Sequence, residues 1–316
     1  MYQLIISHNF NNIPAESFNF HRYFFNEIEH LQVQRKENDC YGFYWQNFDN
    51  QTIEGRFSVI VRDKRAYSPL RATFGGIEFY ENILEGNLME FLTQIIQFLK
   101  SLNIKSVEIN LYPENYLTEY EHNILQNCLS KLNSQVKYTD QNYEIPITDK
   151  SFYETVTGST ARQLLRTYKK KGYIFSQEFI PDFAFIHAFI DRSRERKNRP
   201  MTMSLEKLKE HFVKFPKNFQ LFFVEHSNVK VAVGVTIKIN DNILYTFYLA
   251  DDARFLKDSP TTFLLSGIYE YSKQNNYKIL DFGIATEKGI LNEGLDKFKR
   301  SLGAKMSEKK TYFLLV

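Results

Sequence analysis

Apolar side chains recur at helical spacing in two long stretches, "LMEFLTQIIQFLKSLN" (88–103) and "TTFLLSGIYEYSKQNN" (261–276), and each spacing predicts a helix with one buried face. A short alternating strand follows each helix, "SVEINLY" after the first and "YKILDFGI" after the second. Placing Asn103 over Asn276 also pairs Lys105 with Lys278, Val107 with Leu280, Glu108 with Asp281 and Ile109 with Phe282. Runs of strands precede both helices: "CYGFYWQNF", "RFSVIVRD" and "GGIEFYE" in the first half, "FQLFFVEH", "VKVAVGVTIKIN" and "NILYTFYLA" in the second. The turns "HSN" and "NDN" predict tight antiparallel connections. A further helix, "EYEHNILQNCLSKLN" or "EGLDKFKRSLG", and a closing strand, "QVKYTDQNYEIPI" or "MSEKKTYFLLV", complete each copy. The plan is α+β and repeated: antiparallel strands, helix, strand, helix, strand. Two domains follow, 1–148 and 149–316, divided in "PITDKSFYE", where Pro146 and Asp149 separate a strand from a new helix.

Composition narrows the function classes. Apolar residues make up 43% of the 316 and include 29 Phe and 20 Tyr, enough to fill two cores. Cys40 and Cys128 match no zinc or redox spacing, which points to a reducing, cytoplasmic setting. The amino terminus has no basic residue before its short apolar run, and no apolar stretch is long enough to span a bilayer, so neither export nor stable membrane insertion is expected. Residues 1–150 carry 13 basic and 19 acidic side chains and the remainder 27 and 18, a net of −6 against +9. The positive field of the second half suits an anionic ligand or partner. Walker, G-x-G-x-x-G and G-x-S-x-G motifs are all missing, and the histidines form no metal cluster. That sets aside kinase, dehydrogenase and hydrolase chemistry and leaves no metal site to name. His187, inside "FAFIHAFI", reads as a hydrogen-bonded core residue, and Gly75 and Gly76 as a bulge or a place of close backbone approach.

The element order, with "GLDKFKRSLGA" (294–304) and "ARQLLRTYKKKGY" (161–173), resembles the GNAT fold in tandem, as in the Fem-type aminoacyl transferases and related acetyltransferase-like double-domain proteins. The resemblance implies two GNAT-like domains, each a mostly antiparallel mixed sheet flanked by helices, the first a degenerate copy and the second holding the working cleft. It also implies an acyltransferase that moves an acyl group from an activated donor to an acceptor amine. No permanently bound cofactor is expected. The expected donor is an acyl-coenzyme A thioester, taken as first choice, or an aminoacyl-tRNA, with a small or phosphorylated acceptor such as a cell-wall precursor. A non-catalytic scaffold for an anionic ligand or protein is the remaining alternative, and the oligomeric state is left open. Where a GNAT enzyme has a glycine-rich loop for the coenzyme pyrophosphate, this chain reads "DDARFLKDSPTTFLL", with Ser259 and Pro260 but no glycine. No long heptad arm for tRNA is present either.

Acyl transfer to an amine needs a neutral nucleophile, donors for the developing oxyanion and a proton source for the leaving group. Lys299, which maps to the lysine of the Fem-type Phe-Lys pattern, is the first candidate, to polarise the acyl carbonyl or hold a phosphate. Its neighbours Lys297 and Arg300 should face solvent. Asp281, on the strand beside "NILYTFYLADD", could orient or deprotonate the amine, and Tyr248 and Tyr245 would supply phenols. Arg162 and Arg166, at i and i+4, and Arg194 in the basic run "DRSRERKNRP" are candidate anion clamps. Ser259 is the candidate donor contact at the start of the central helix.

Overall fold

The computed structural model describes residues Met1–Val316 and contains two compact units. One comprises Met1–Gln141, Thr286–Ile290 and Ser307–Val316; the other comprises Asn142–Ala285 and Leu291–Met306. The closing strand of the second half of the sequence is therefore part of the first unit, and the end of the first half's closing strand is part of the second.

In chain order the elements are β1 (Tyr2–His8), β2 (Ser17–Phe18), α1 (Ile28–Arg35), β3 (Asp39–Asn47), β4 (Thr52–Arg62), β5 (Arg65–Ser68), β6 (Glu78–Phe79), α2 (Glu85–Ser101), β7 (Ser106–Asn110), α3 (Glu119–Lys131) and β8 (Gln135–Pro146). They continue with α4 (Phe152–Thr155), α5 (Ser159–Thr167), β9 (Tyr173–Glu178), α6 (Phe183–Glu195), α7 (Leu205–Lys214), β10 (Phe219–His226), β11 (Val229–Lys238), β12 (Ile243–Asp251), α8 (Pro260–Gln274), β13 (Ile279–Ile284), β14 (Thr286–Glu287), β15 (Ile290–Leu291), α9 (Glu293–Ser301) and β16 (Lys305–Leu315).

The first unit's main strands run β1-β3-β4-β5-β7-β16, antiparallel at every step except the parallel β5–β7 pair. The second unit's run β9-β10-β11-β12-β13 and then the end of β8, again antiparallel except for β12–β13. Both copies thus share one strand order and one parallel step. "GGIEFYE" contributes only the two residues of β6, because Gly75 and Gly76 lead the chain past other backbone: a Cβ on Gly75 would lie 2.8 Å from the Pro69 nitrogen, and Gly76 has φ +104°.

The matched helices form for the reason their spacing implies. Leu88, Phe91, Leu92, Ile95 and Leu99 give α2 its buried stripe, and Leu264, Leu265, Ile268 and Tyr269 do the same for α8. Each helix ends two residues before an asparagine in the left-handed region, Asn103 and Asn276, both at φ +61°. Asparagine tolerates that conformation better than most side chains, which explains why the repeat shares it. The second helices end alike, two residues before a left-handed position, α3 before Asn133 (φ +57°) and α9 before Gly303 (φ +85°). No helix is long and apolar enough to cross a membrane.

Candidate active site

β12 and β13 pair over only three positions, Ile243–Ile279, Leu244–Leu280 and Tyr245–Asp281, after which β12 continues to Asp251 without β13 beside it. On its other edge β12 is bulged at Phe247, where the register to β11 shifts between Val235 and Thr236. A bulge rotates the strand and re-aims its side chains. The parting strands begin at Asp281, whose buried carboxylate accepts hydrogen bonds from Asn142 Nδ2 at 3.1 Å and from the Gly283 backbone N–H at 2.5 Å. Gly283 has φ +71°, a backbone conformation that calls for glycine, and a Cβ there would stand a tight 3.2 Å from the Tyr245 ring.

The turn at Gly283 presents its own carbonyl and that of Ile284 to Lys299, whose Nζ donates to them at 2.7 and 2.8 Å. Lys299 is only 4% exposed. Burial pushes its pKa down from 10.5 to about 7; the negative Asp281 opposes the shift, and Arg199 adds to it. An ammonium has three N–H donors, so two carbonyl bonds leave one for a ligand. Its Nζ also lies 5.6 Å from the centre of the Tyr143 ring.

Helix α9 holds this lysine by firm terminal contacts. Asn292 caps the start by accepting from the Leu295 N–H at 2.9 Å. At the far end, the Thr157 and Gly158 N–H groups donate to the Ser301 carbonyl at 3.1 and 2.8 Å, and the Thr157 hydroxyl donates to the Arg300 carbonyl at 2.8 Å. A Cβ on Gly303 would approach the Thr155 carbonyl oxygen to 2.0 Å, so the exit from α9 requires glycine. Helical geometry turns Lys299 inward with Leu302 and leaves Lys297 exposed, 3.5 Å from Glu293. Arg300 is also exposed, yet it is tied down: Nε reaches Asp296 at 2.7 Å and its other end donates to the Tyr143 hydroxyl at 3.1 Å, while that hydroxyl donates to Asp296.

Three residues beyond the parting point, Tyr248 is 3% exposed and shares a hydrogen bond with Thr202 Oγ1. Burial raises its pKa above that of an ordinary phenol, so it remains a proton donor at neutral pH. The Arg194 guanidinium lies 5.4 Å from the Tyr248 ring centre and donates from Nε to the Pro200 carbonyl at 3.0 Å. Lys299, Asp281 and Tyr245 are thus gathered at the parting point, with Tyr248 further along β12 and Arg194 of α6 against its ring.

The other expected site residues have local tasks. Arg162 Nε donates to the Val156 carbonyl at 2.7 Å, and Arg166 Nε donates to the Tyr153 hydroxyl at 2.6 Å, both beside the loop that caps α9. Ser259 adopts the left-handed conformation (φ +47°) ahead of α8, bonds Thr262 Oγ1 at 3.0 Å and accepts from Tyr168 at its carbonyl at 2.7 Å. Nearby, Asp251 accepts from Thr261 Oγ1 at 3.2 Å and pairs with Arg196 and Lys197. Burial would raise its pKa, but Lys197 and Arg196 hold it below the usual carboxylate value. Arg254 does the same for Asp252, and Lys171 with Tyr173 for Asp258. His187 bonds the Met203 carbonyl at 3.1 Å. No group of three or more His, Cys, Asp or Glu is placed to hold a metal.

Sequence reasoning missed Asn142, Tyr143, Thr202 and the part played by Gly283. The Gly in "DFGI" was the one available signal; the others come from strands and loops distant in the sequence.

No protein-family model matches the sequence, and no curated protein matches it. Solved structures do. FemX superposes with a TM-score of 0.72 over 93% of this chain and 92% of its own, at 13% identity. A tandem GNAT protein from the clavulanic acid biosynthesis pathway gives 0.58 over 100% and 98%, at 7% identity. The C-terminal domain of a putative lysylphosphatidylglycerol synthetase from Agrobacterium fabrum gives 0.56 over 91% and 86%, at 10% identity. At such identities the likeness concerns architecture: the chain has the Fem-like, tandem GNAT fold.

Proposed function

We propose that this protein is an N-acyltransferase whose reaction centre lies where β12 parts from β13. The observation that carries the reading is Lys299, a buried ammonium with two N–H groups fixed on the Gly283 and Ile284 carbonyls and Asp281 close by. A buried charge is costly, and a site that stabilises a developing oxyanion gives such a cost a purpose. In the proposed step, the lone pair of the acceptor amine attacks the acyl carbon and forms the C–N bond. The carbonyl electrons move to oxygen, which accepts a hydrogen bond from the third Lys299 N–H, and the amine proton passes to Asp281. Collapse then breaks the bond to the leaving group, which takes a proton from Tyr248.

The surroundings of α8 bear on the donor. A coenzyme pyrophosphate at its N-terminus would meet Asp251, Asp252 and Asp258, all held charged, and Thr261 already donates to Asp251. Pro260 begins the helix without an N–H. These features weigh against the coenzyme thioester, the sequence's first choice, and favour an aminoacyl ester. The scaffold alternative draws support from the same lysine, since two of its bonds are to the backbone.

Incubation of the protein with acetyl-coenzyme A or bulk aminoacyl-tRNA and a panel of primary amines, followed by mass spectrometry, tests the proposal. Amide product from the aminoacyl ester, lost in Lys299→Met, is expected. Product from acetyl-coenzyme A alone would overturn the donor assignment; no product from either, or full activity in Lys299→Met, would overturn the site.

A further inference from the structure

The repeat sets a tyrosine opposite a carboxylate twice. Tyr245 registers with Asp281 across β12 and β13, and Tyr67 registers with Glu108 across β5 and β7. The first pair stands at the candidate reaction centre. The second lines a cleft of about 290 Å³ within the first unit, a size at the lower end of small-molecule sites.

Apolar and charged groups divide the work of this cleft. Tyr67 and Phe313 form half-buried aromatic walls, and Val136 lies at 49% exposure as a third apolar surface. Glu108 is bonded by Lys137 at 2.8 Å, and that bond raises the lysine's pKa, so the two charges cancel. Arg65 also lines the cleft, and its guanidinium bonds to no carboxylate or carbonyl of the chain. The Ser106 hydroxyl beside it is likewise without a protein partner. The lining therefore carries one uncompensated positive charge, a planar fork of N–H donors and a hydroxyl, set between apolar walls. A carboxylate matches the fork, and an apolar body matches the walls.

We propose that this cleft is a second ligand site, which takes a small carboxylic acid with an aromatic or branched apolar body. Arg65 and Ser106 hold the carboxylate, and Tyr67, Phe313 and Val136 enclose the body. The proposal is independent of acyl transfer at the second unit, because none of its groups belongs to that centre.

Fluorine NMR with para-fluorophenylacetate tests it on the full chain. Saturable broadening of the probe signal is expected with the wild-type protein and equally with Lys299→Met. Val136→Trp, which fills the cleft from an exposed position, should abolish it. Arg65→Gln should weaken it by roughly tenfold or more, as loss of a charged hydrogen bond implies, and the neutral para-fluorophenylacetamide should bind the wild-type protein more weakly to a similar degree. Absence of saturable binding to the wild-type protein, binding retained by Val136→Trp, equal affinity for the amide, or loss in Lys299→Met would each overturn the assignment.

Discussion

The two units reach their parallel strand pair by the same route and then diverge. In the first, pairing of β5 with β7 is prolonged by a parallel bridge from Gly75 to Leu111, and Tyr112 donates its hydroxyl to the Ile77 carbonyl at 2.5 Å. The rings of Tyr23, Phe25, Phe74, Tyr112 and Tyr116 pack against one another beside that bridge. In the second, pairing stops at Tyr245 and Asp281. The following helices differ in the same sense. Leu129 lies four residues before the left-handed Asn133 and Lys299 four before the left-handed Gly303, both buried. One copy fills the position with hydrocarbon and the other with a cation. A fold that is content with leucine at this position has no structural need of lysine, and this difference is the main reason to read the second unit as the working one.

Exchanging the two side chains tests that contrast most severely. Leu129→Lys should place an unpartnered charge in a complete apolar core and cost about 3–5 kcal/mol of stability, measured by urea denaturation. A cost near zero would mean that the position tolerates a cation in either copy. Lys299→Met should leave the fold intact, as replacement of a buried ion by a similar apolar volume often does, yet lower acyl transfer on the order of 10²–10³-fold if its N–H holds the oxyanion.

The proton on Lys299 sharpens the comparison next. Its folded pKa, about 7, lies below that of a free lysine, so between these values the unfolded chain binds more protons than the folded one. Stability should therefore rise with pH from about 7 towards 10, by at most about 1.4 kcal/mol per unit, and the slope should vanish in Lys299→Met. Transfer should move the other way and fall through the same interval as the cation is lost. A pH-independent rate would remove the charge from the mechanism. The smallest effect expected is that of Tyr143→Phe, which frees Arg300 and Asp296 from their shared hydroxyl and should cost about 1 kcal/mol with little change in rate.

The repeated helices and strands were legible because each is amphipathic by itself: α2, α8, β7 and β13 lie where their spacing puts them. Lys299 was singled out by the Phe-Lys pattern, and its burial follows from helical phase. The companions of Asp281 and Lys299 were not legible, since Asn142 and Tyr143 come from β8, more than a hundred positions away, and nothing in local periodicity names a strand's distant partner. The expected clamps Arg162 and Arg166 showed the limit of reading charge: guanidinium groups near a helix also serve the carbonyl and phenol beside them. "GGIEFYE" failed as a long strand because its two glycines turn the backbone before pairing can extend.

The assignment of β16 to the first unit has a consequence for biogenesis. Its residues Thr311–Leu315 pair with Ser106–Asn110, and Tyr312 reaches Gln126, 186 positions earlier. Domains emerging from a ribosome ordinarily fold as they appear, amino-terminal first. Here the amino-terminal unit must wait with one edge of β7 unsatisfied until the whole of its neighbour has been translated. During that interval it offers an adhesive border, and nascent chains of this protein should depend on chaperones more than their size alone suggests.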